Sequence, residues 1–555
     1  MTSFQELRTL QAWTGENYVK GLTLCGTPPE KVGGREMITT AIVYPNNRIH
    51  VGFAWEVLGA DWLNRSLKLF GQKTYFLTGT DEHALKVQKT AEARGLTPKA
   101  HCDEMARDIE SVLKKMGVQF DRFIRTSDSD HQEVVRLLVE RAFQAGDIYE
   151  ARYEGHYCEG CEAFYTDKDL VEGLCPAHKT KPKWIQEENF FFRLSKYQAR
   201  LERLFQEYPD FLMPESRRSE ILNFIQAGLR DFSISRSNFT WGIPFPRGEK
   251  HLVYVWFDAL INYLTGAGVL PWLRGEGTET FEALWPPKVH IIGKDVGRFH
   301  AVFWPAMLWS LGFEIPRQVF AHGFLSLRGE RLSKSSGHMI TPDEIIALTH
   351  SDALRYYLLS ENSFEGDGNF IFEGLLAKVN ADLSNDWGNL VNRTLNMTRK
   401  YFPGEALRSE VTDLEDADFF EVRESFLSFR MELASAVKKL DSQSYARSCQ
   451  ARSRVLNLFI DRTKPWAIAK EASPQSLLRL RKVLATLLEG IYWTAVAWQP
   501  LLTEGMSRVF QQLSQPVPES LGSLAQLSWG AREFRVGEPA PIYPRLELPK
   551  EGGPA

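Results

Sequence analysis

The sequence predicts an α/β fold: a doubly wound parallel sheet split by an insertion and followed by an α-helical bundle. Three observations carry this. Short apolar runs at Met37 to Tyr44, Lys73 to Leu77 and Val118 to Ile124 alternate with stretches of helical length, the rhythm of strands joined by crossover helices. That rhythm fails from Asp147 to about Lys250, where short Tyr-rich and Cys-rich segments stand, and resumes at His251 to Phe257 and Lys288 to Ile292. From about Phe372 to Leu521 apolar residues recur at helical spacing almost without strand signals, which reads as a bundle.

In order along the chain, residues 1–36 are polar, contain Thr27-Pro28-Pro29 and Gly33-Gly34, and show no sustained period, so they read as an extension. The strand Met37 to Tyr44 is stopped by Pro45-Asn46-Asn47, and a helix should run from His50 to Gly71. The second strand leads to Gly79-Thr80-Asp81 and a helix ending near Gly95. Thr97-Pro98 supplies an N-cap and a proline at the first helical position; that helix should stop at Gly117, and the one after the third strand at Gly146. A sheet of this kind binds ligands at its carboxyl edge. The expected units are 37–146 and 251–325 as the two halves of the sheet domain, 147–250 as the insertion, 326–375 as a loop-bearing region, 376–521 as the bundle and 522–555 as a proline-rich tail over the other domains.

Composition narrows the class. The 555 residues are 43% hydrophobic, 25% charged and 12% aromatic, which suits a globular chain of about three or four domains and not a disordered one. Mean hydropathy is -0.28, and runs such as Trp304 to Leu311 fall well short of the ~20 apolar residues that cross a bilayer. The N-terminus lacks the pattern of a secretory signal, so a cytoplasmic protein without a membrane partner is expected. Lys and Arg number 66 against 70 Asp and Glu, a formal charge of -4; a nucleic-acid partner would need a local patch.

Two short segments suggest phosphate chemistry. Ile49-His50-Val51-Gly52-Phe53 sits where the first strand turns into its helix, a place where backbone N–H groups and the helix dipole favour an anion and a histidine can donate to phosphate. Far downstream, Gly329 to Gly337 is a small-residue loop carrying Arg331 and Lys334. Singly, each is more often a surface histidine or a solvated turn. Together, around a split sheet, they point to polyphosphate.

Cys158-x2-Cys161 and Cys175-x2-His178 form two tight pairs with the spacing of a tetrahedral zinc site. Four protein ligands leave no open position, so one structural zinc per chain is expected. Cys25, Cys102 and Cys449 have no comparable partners.

On these residues the sequence resembles the class I aminoacyl-tRNA synthetases, with His50 to Phe53 at the HIGH motif and Arg331 to Ser335 at the KMSKS motif. In detail it is similar to the methionyl-tRNA synthetase family, through Tyr44-Pro45-Asn46, Thr78 to His83, Asp231 to Arg236, Trp241 to Pro244, Tyr254 to Ala259, Ile292 to Asp295, Phe299-His300 and Phe303-Trp304-Pro305, over about residues 37 to 545. The resemblance implies a Rossmann-type domain that activates methionine with ATP and Mg2+ and transfers it to tRNA(Met). It implies ATP contacts at His50, Gly52, Phe53, Asp295, Arg331 and Lys334, with His50, Lys334 and Arg331 catalytic. It places methionine among Ala41, Ile42, Tyr44, Trp256, Ala259, Leu260, Tyr263, Val296, His300 and Trp304, with Asp81 holding the ammonium group; aromatic walls suit a thioether because sulfur packs well on ring edges.

In the bundle it implies anticodon reading by Asn389, Arg393 and Trp466. Between Arg430 and Lys464 eight Lys/Arg face three acids, an excess expected to hold tRNA phosphates. Three positions depart from the family: Phe53 replaces the second histidine of HIGH, Asn47 a glycine, and Ala84 the glycine after Asp81-Glu82-His83. Two rivals stand beside this reading. One is a tRNA-binding paralogue without efficient activation; the other is a synthetase for leucine, isoleucine or valine, whose one-methylene discrimination calls for an editing domain larger than the insertion. The chain ends soon after Pro544 to Glu547, where longer family members append a dimerising domain, so a monomer is expected.

Overall fold

The structure is a computed structural model. It describes residues 34–547 apart from 159–162, 166–169, 177–178, 238–239, 249, 328–329, 332–340, 411–416, 472, 519–521, 523 and 525–526. Six parallel strands form the main sheet in the order Arg122–Arg125, Thr74–Thr80, Glu36–Thr40, Val289–Gly293, Val319–His322, Leu212–Met213. From Glu36–Thr40 the chain first winds to one side, through Thr74–Thr80 to Arg122–Arg125. After the insertion it winds to the other. The direction therefore reverses between Glu36–Thr40 and Val289–Gly293, where Ile38 pairs with Val289 and Thr40 with Ile291; a crevice opens at such a switch point.

Local reasons set the strand ends. The first strand stops at Thr40, short of the expected Tyr44, and the Ala41 N–H there is shared between the Ile291 carbonyl and Glu56 Oε1 (3.1 Å). The second runs on to Thr80, past the expected Leu77. Glycine allows this: a Cβ at Gly79 would lie 1.8 Å from the Ile124 carbonyl oxygen. Met37 and Ile38 face opposite cores, as strand alternation requires. The Ile38 side also holds helix Val51–Leu69 and continues into the bundle. That helix is buried on nearly every side, since sheet and bundle both pack on it.

The sequence reading needs correction in two places here. The expected strand at His251 to Phe257 is only Leu252–Val253, paired with Ser235–Arg236 outside the main sheet, and helix Val255–Gly266 follows at once. Conversely, Leu212–Met213, inside the presumed insertion, is the sixth strand of the main sheet. Propensity could not separate these cases, because a strand of two residues is defined by its partner. The insertion also holds a four-stranded antiparallel sheet built on the long hairpin Ile148–Cys158 with Lys183–Phe192, and the helices Gln198–Glu207 and Glu215–Gln226.

Beyond the sheet, Glu330–Arg331, Leu325–Leu327 and Gly368–Phe370 form a small sheet that leads into helices from Pro342 to Gln512. Within them Val379–Gly388 is a π-helical segment directly before Asn389–Tyr401. The tail lies over both domains: Gly522 and Leu524 donate to the Lys68 and Leu69 carbonyls, Tyr543 donates to Asp352, and Leu546 exchanges two hydrogen bonds with Asn380. Among the described residues no helix is long and apolar enough to cross a membrane.

Candidate active site

The switch-point crevice collects segments remote in sequence. Ala41 to Tyr44 leave the end of one central strand and Lys294-Asp295-Val296 the end of the other. His50 is the N-cap of helix Val51–Leu69, and its Nδ1 accepts the N–H groups of Gly52 (3.0 Å) and Phe53 (3.3 Å). The ring's proton therefore sits on Nε2 when it is neutral. This corrects the expectation that these first-turn N–H groups are available to an anion: His50 satisfies them. Phe53 is half-buried and packs on the core.

One turn on, Glu56 is buried, a residue that sequence reasoning missed although an acid inside Val51-Gly-Phe-Ala-Trp-Glu-Val-Leu58 was a usable signal. Its Oε1 accepts the Ala41 N–H and its Oε2 lies 2.9 Å from His322 Nε2. Burial raises its carboxyl above the ordinary range, and the nearby Asp295 adds to this. Gly293 permits the close approach of Asp295, whose Oδ1 would be 2.7 Å from a Cβ there.

On the opposite side of the first strand, Asp81 lies in a loop held from behind. Glu82 takes both Nε and Nη2 of Arg125, while His83 Nδ1 is 2.7 Å from Asp258, whose other oxygen is 2.7 Å from His131 Nε2. Those two histidines keep the fully buried Asp258 carboxyl below its usual range against the opposing cost of burial. Asp258 belongs to helix Val255–Gly266, which also carries Trp256, Ala259, Leu260 and Tyr263. Trp256 stacks on Phe299 with ring centres 3.8 Å apart. Tyr263 stacks on His290 at 4.1 Å and its hydroxyl reaches His300 Nε2 at 2.7 Å. His300 sits in the π-turn Phe299–Phe303 with its Nδ1 on the Val296 carbonyl, and Trp304 begins the next helix, its indole N–H on His290. Ala41, Ile42, Tyr44 and Val296 are half-buried against the same core. The result is an aromatic pocket with a carboxylate, Asp81, on the neighbouring loop.

Other expected residues are less fully placed. Arg331 pairs through its backbone with Ser326, and Lys334 lies outside the described residues. Cys158 and Cys175 are both buried, and Thr180 joins them: its hydroxyl lies 3.9 Å from Cys158 Sγ and its carbonyl accepts the Cys175 N–H. Cys161 and His178 lie outside the described residues, and the described residues contain no group of three or more metal ligands.

In the bundle, Asn389 is exposed on helix Asn389–Tyr401 and Arg393 lies one turn on, its guanidinium 5.8 Å from the centre of the Trp466 ring and 3.6 Å from Asp461. Trp466 is 39% exposed. The expected basic patch is smaller than counted. Arg452 is buried and forks onto Glu432 and the Ser425 carbonyl, while Arg430 is half-buried over Trp493 and bonds the Leu527 carbonyl. Arg452 neutralises Glu432 and caps a carbonyl of the bundle, and Arg430 caps a carbonyl of the tail, which a count along the sequence does not reveal.

A sheet whose crevice gathers a histidine-capped helix, an acid-flanked loop and an aromatic pocket defines a class I tRNA synthetase, and the model of the family "tRNA synthetases class I (M)" matches residues 36–181 and 177–395. A methionine–tRNA ligase of Caldanaerobacter subterraneus subsp. tengcongensis is 39% identical over 93% of this chain and 79% of its own length, and one of Nostoc sp. is 39% identical over 92% and 97%. The Mycobacterium tuberculosis methionyl-tRNA synthetase in complex with methionyl-adenylate superposes with a TM-score of 0.87 at 35% identity, covering 92% of this chain and all of that one. The chain belongs to the methionyl-tRNA synthetase family.

Proposed function

We propose that the crevice activates methionine with ATP and that the product is transferred to tRNA(Met), whose anticodon the bundle reads. The observation that carries this is the meeting of the histidine-capped helix, Asp295 and the Tyr263–His300 pocket at one switch point. Asp81 pairs with the ammonium group of methionine and the aromatic pocket takes its thioether. The carboxylate then attacks the α-phosphate of ATP in line and pyrophosphate leaves. His50 donates from its Nε2–H to the phosphates, Asp295 accepts a ribose hydroxyl, and Arg331 and Lys334 neutralise charge that develops on the phosphates, a task for positioned donors and cations. ATP brings Mg2+ with it. The terminal ribose of tRNA next attacks the activated carbonyl and releases AMP.

Trp466 stacks on an unpaired base while Asn389 and Arg393 reach base edges, the usual mode for single-stranded RNA. The donor set Cys158, Cys161, Cys175 and His178 suits zinc, and Thr180 bridges the Cys158 thiol and the Cys175 backbone; the metal would tie the insertion together and supply no chemistry to the reaction. The test is ATP–pyrophosphate exchange with a panel of amino acids. Exchange that depends on methionine and is at background with leucine, isoleucine and valine is the expected result. None with any amino acid would leave the paralogue reading.

A further inference from the structure

Helix Asn389–Tyr401 does not begin at a cap. It continues out of the π-helical segment Val379–Gly388, and the Asn389 N–H donates to the Asp386 carbonyl. A π-turn closes i→i+5 and an α-turn i→i+4, so the place where one gives way to the other sets the direction of every later side chain. Asn389 and Arg393 both lie in the first turns after that place.

Two carboxylates hold the π-segment against helix Ser442–Thr463. Asp382 accepts the Tyr356 hydroxyl at 2.8 Å and the Gln450 amide at 2.9 Å. Further along, Asp386 Oδ1 accepts the Asn457 amide at 2.6 Å, and the same amide lies 3.5 Å from the Asp386 carbonyl. Both partners are half-buried, and burial raises the Asp386 carboxyl above its ordinary value against the opposing pull of Asn457 and of the Arg454 charge. Helix Ser442–Thr463 ends where Lys464 turns left-handed (φ 45°) and Pro465 begins the helix of Trp466. The Asp386–Asn457 bond therefore joins the two stretches of chain that carry the anticodon residues, with Asn389 just after it on one and Trp466 on the other. Those stretches meet again where the Arg393 guanidinium lies 5.8 Å from the centre of the Trp466 ring.

We propose that Asp386 and Asn457 are positioning residues for anticodon reading: their bond fixes the turn at which the π-segment passes into helix Asn389–Tyr401 and keeps Asn389 and Arg393 in register with Trp466. π-helical bonding is rare and concentrates at functional sites. With the side-chain bond gone, an i→i+4 bond in place of an i→i+5 bond would turn Asn389 and Arg393 about the helix axis, away from bases that Trp466 still stacks upon. The pair acts through those three residues. The inference rests on the anticodon reading above and adds to it the contact that aims the reading side chains.

The test measures methionine exchange, charging of tRNA(Met), and charging of a tRNA(Met) transcript with one anticodon base changed. Asn457→Ala removes the bond without adding charge. KM for tRNA(Met) should rise about tenfold, and the preference for the native anticodon should narrow, while kcat for charging and the exchange rate stay within about twofold of wild type. Asn457→Asp sets two carboxylates against each other and should do at least as much harm. Asp386→Asn combined with Asn457→Asp reverses the pair, amide for carboxylate, and should bring KM back to within about threefold of wild type. A double variant no better than Asn457→Asp overturns the inference. An unchanged KM in Asn457→Ala also overturns it, since charge alone would then matter here, and so does a matching loss of exchange, which would make the pair a support of the fold at large. Trp466→Ala, assayed beside them, separates the two levels. If it charges as well as wild type, the anticodon reading fails and the inference with it; if it is impaired and Asn457→Ala is not, the inference alone fails.

Discussion

His83 Nδ1 and Asp258 Oδ2 are 2.7 Å apart although 175 positions separate them in the chain. The bond ties the loop of Asp81 to the helix of Trp256, Ala259 and Tyr263, so the Asp258 carboxylate sets the distance between the Asp81 carboxylate and the aromatic pocket proposed to hold methionine. His131 holds the other oxygen of Asp258, and Trp241 packs edge-on against His83 while donating to the Glu82 carbonyl.

Asp258→Asn leaves one acceptor for two donors. A lost hydrogen bond to a buried charged group is worth about 1.5–3 kcal/mol, so KM for methionine should rise about tenfold or more while KM for ATP moves much less. Exchange kinetics measure both constants. Equal rises would show that Asp258 supports the fold at large and not the methionine site.

Trp466→Ala removes an exposed ring whose face Arg393 borders. Stacking on a base is worth ~1–3 kcal/mol, so tRNA charging should fall tenfold to a hundredfold while exchange stays near wild type. Parallel loss in both assays would make the ring a packing residue.

The zinc reading predicts about one zinc per chain, lost in Cys158→Ser and Cys175→Ser along with thermal stability. Metal analysis of carefully purified protein checks it. Protein free of zinc and stable to chelators would rule the site out.

Phe53 occupies the first helical turn, where its N–H already serves His50. Phe53→His places a second imidazole beside the proposed phosphate site and should raise the exchange rate about tenfold or more, the effect of one hydrogen bond to a charged group. Some stability should be lost, because the phenyl ring packs on the core. A slower enzyme would mean that the crevice has repacked around the ring.

Glu489 is buried in helix Pro474–Trp498, bonded to the Trp493 indole at 2.9 Å with Arg532 at 3.8 Å, and burial lifts its carboxyl from 4.5 to about 7. The folded state thus holds a proton that the unfolded chain releases between pH 4.5 and 7. Its contribution to stability therefore falls as pH rises across that window, by at most roughly 3 kcal/mol. Glu489→Gln should flatten this part of the profile in denaturant titrations. An unchanged slope would place the titration elsewhere.

The amino-acid order alone was enough to reveal the alternation of strands and helices, the glycine stops at 71, 95, 117 and 146 and the closely spaced cysteines. Each of these is a local pattern, written in residues a few positions apart. Tertiary structure alone decided which short segments joined the sheet, since Leu212–Met213 gained a neighbour in Val319–His322 and Leu252–Val253 did not. It also turned His50 onto its own helix, buried Glu56 beside His322, drew Arg430 and Arg452 inward, and set the Trp304 indole on His290 and His300 on the Val296 carbonyl. Those outcomes depend on groups dozens to hundreds of residues away, and a buried polar group takes whatever partner the packed chain brings within about 3 Å, because leaving it unpaired costs more than any local preference can offset.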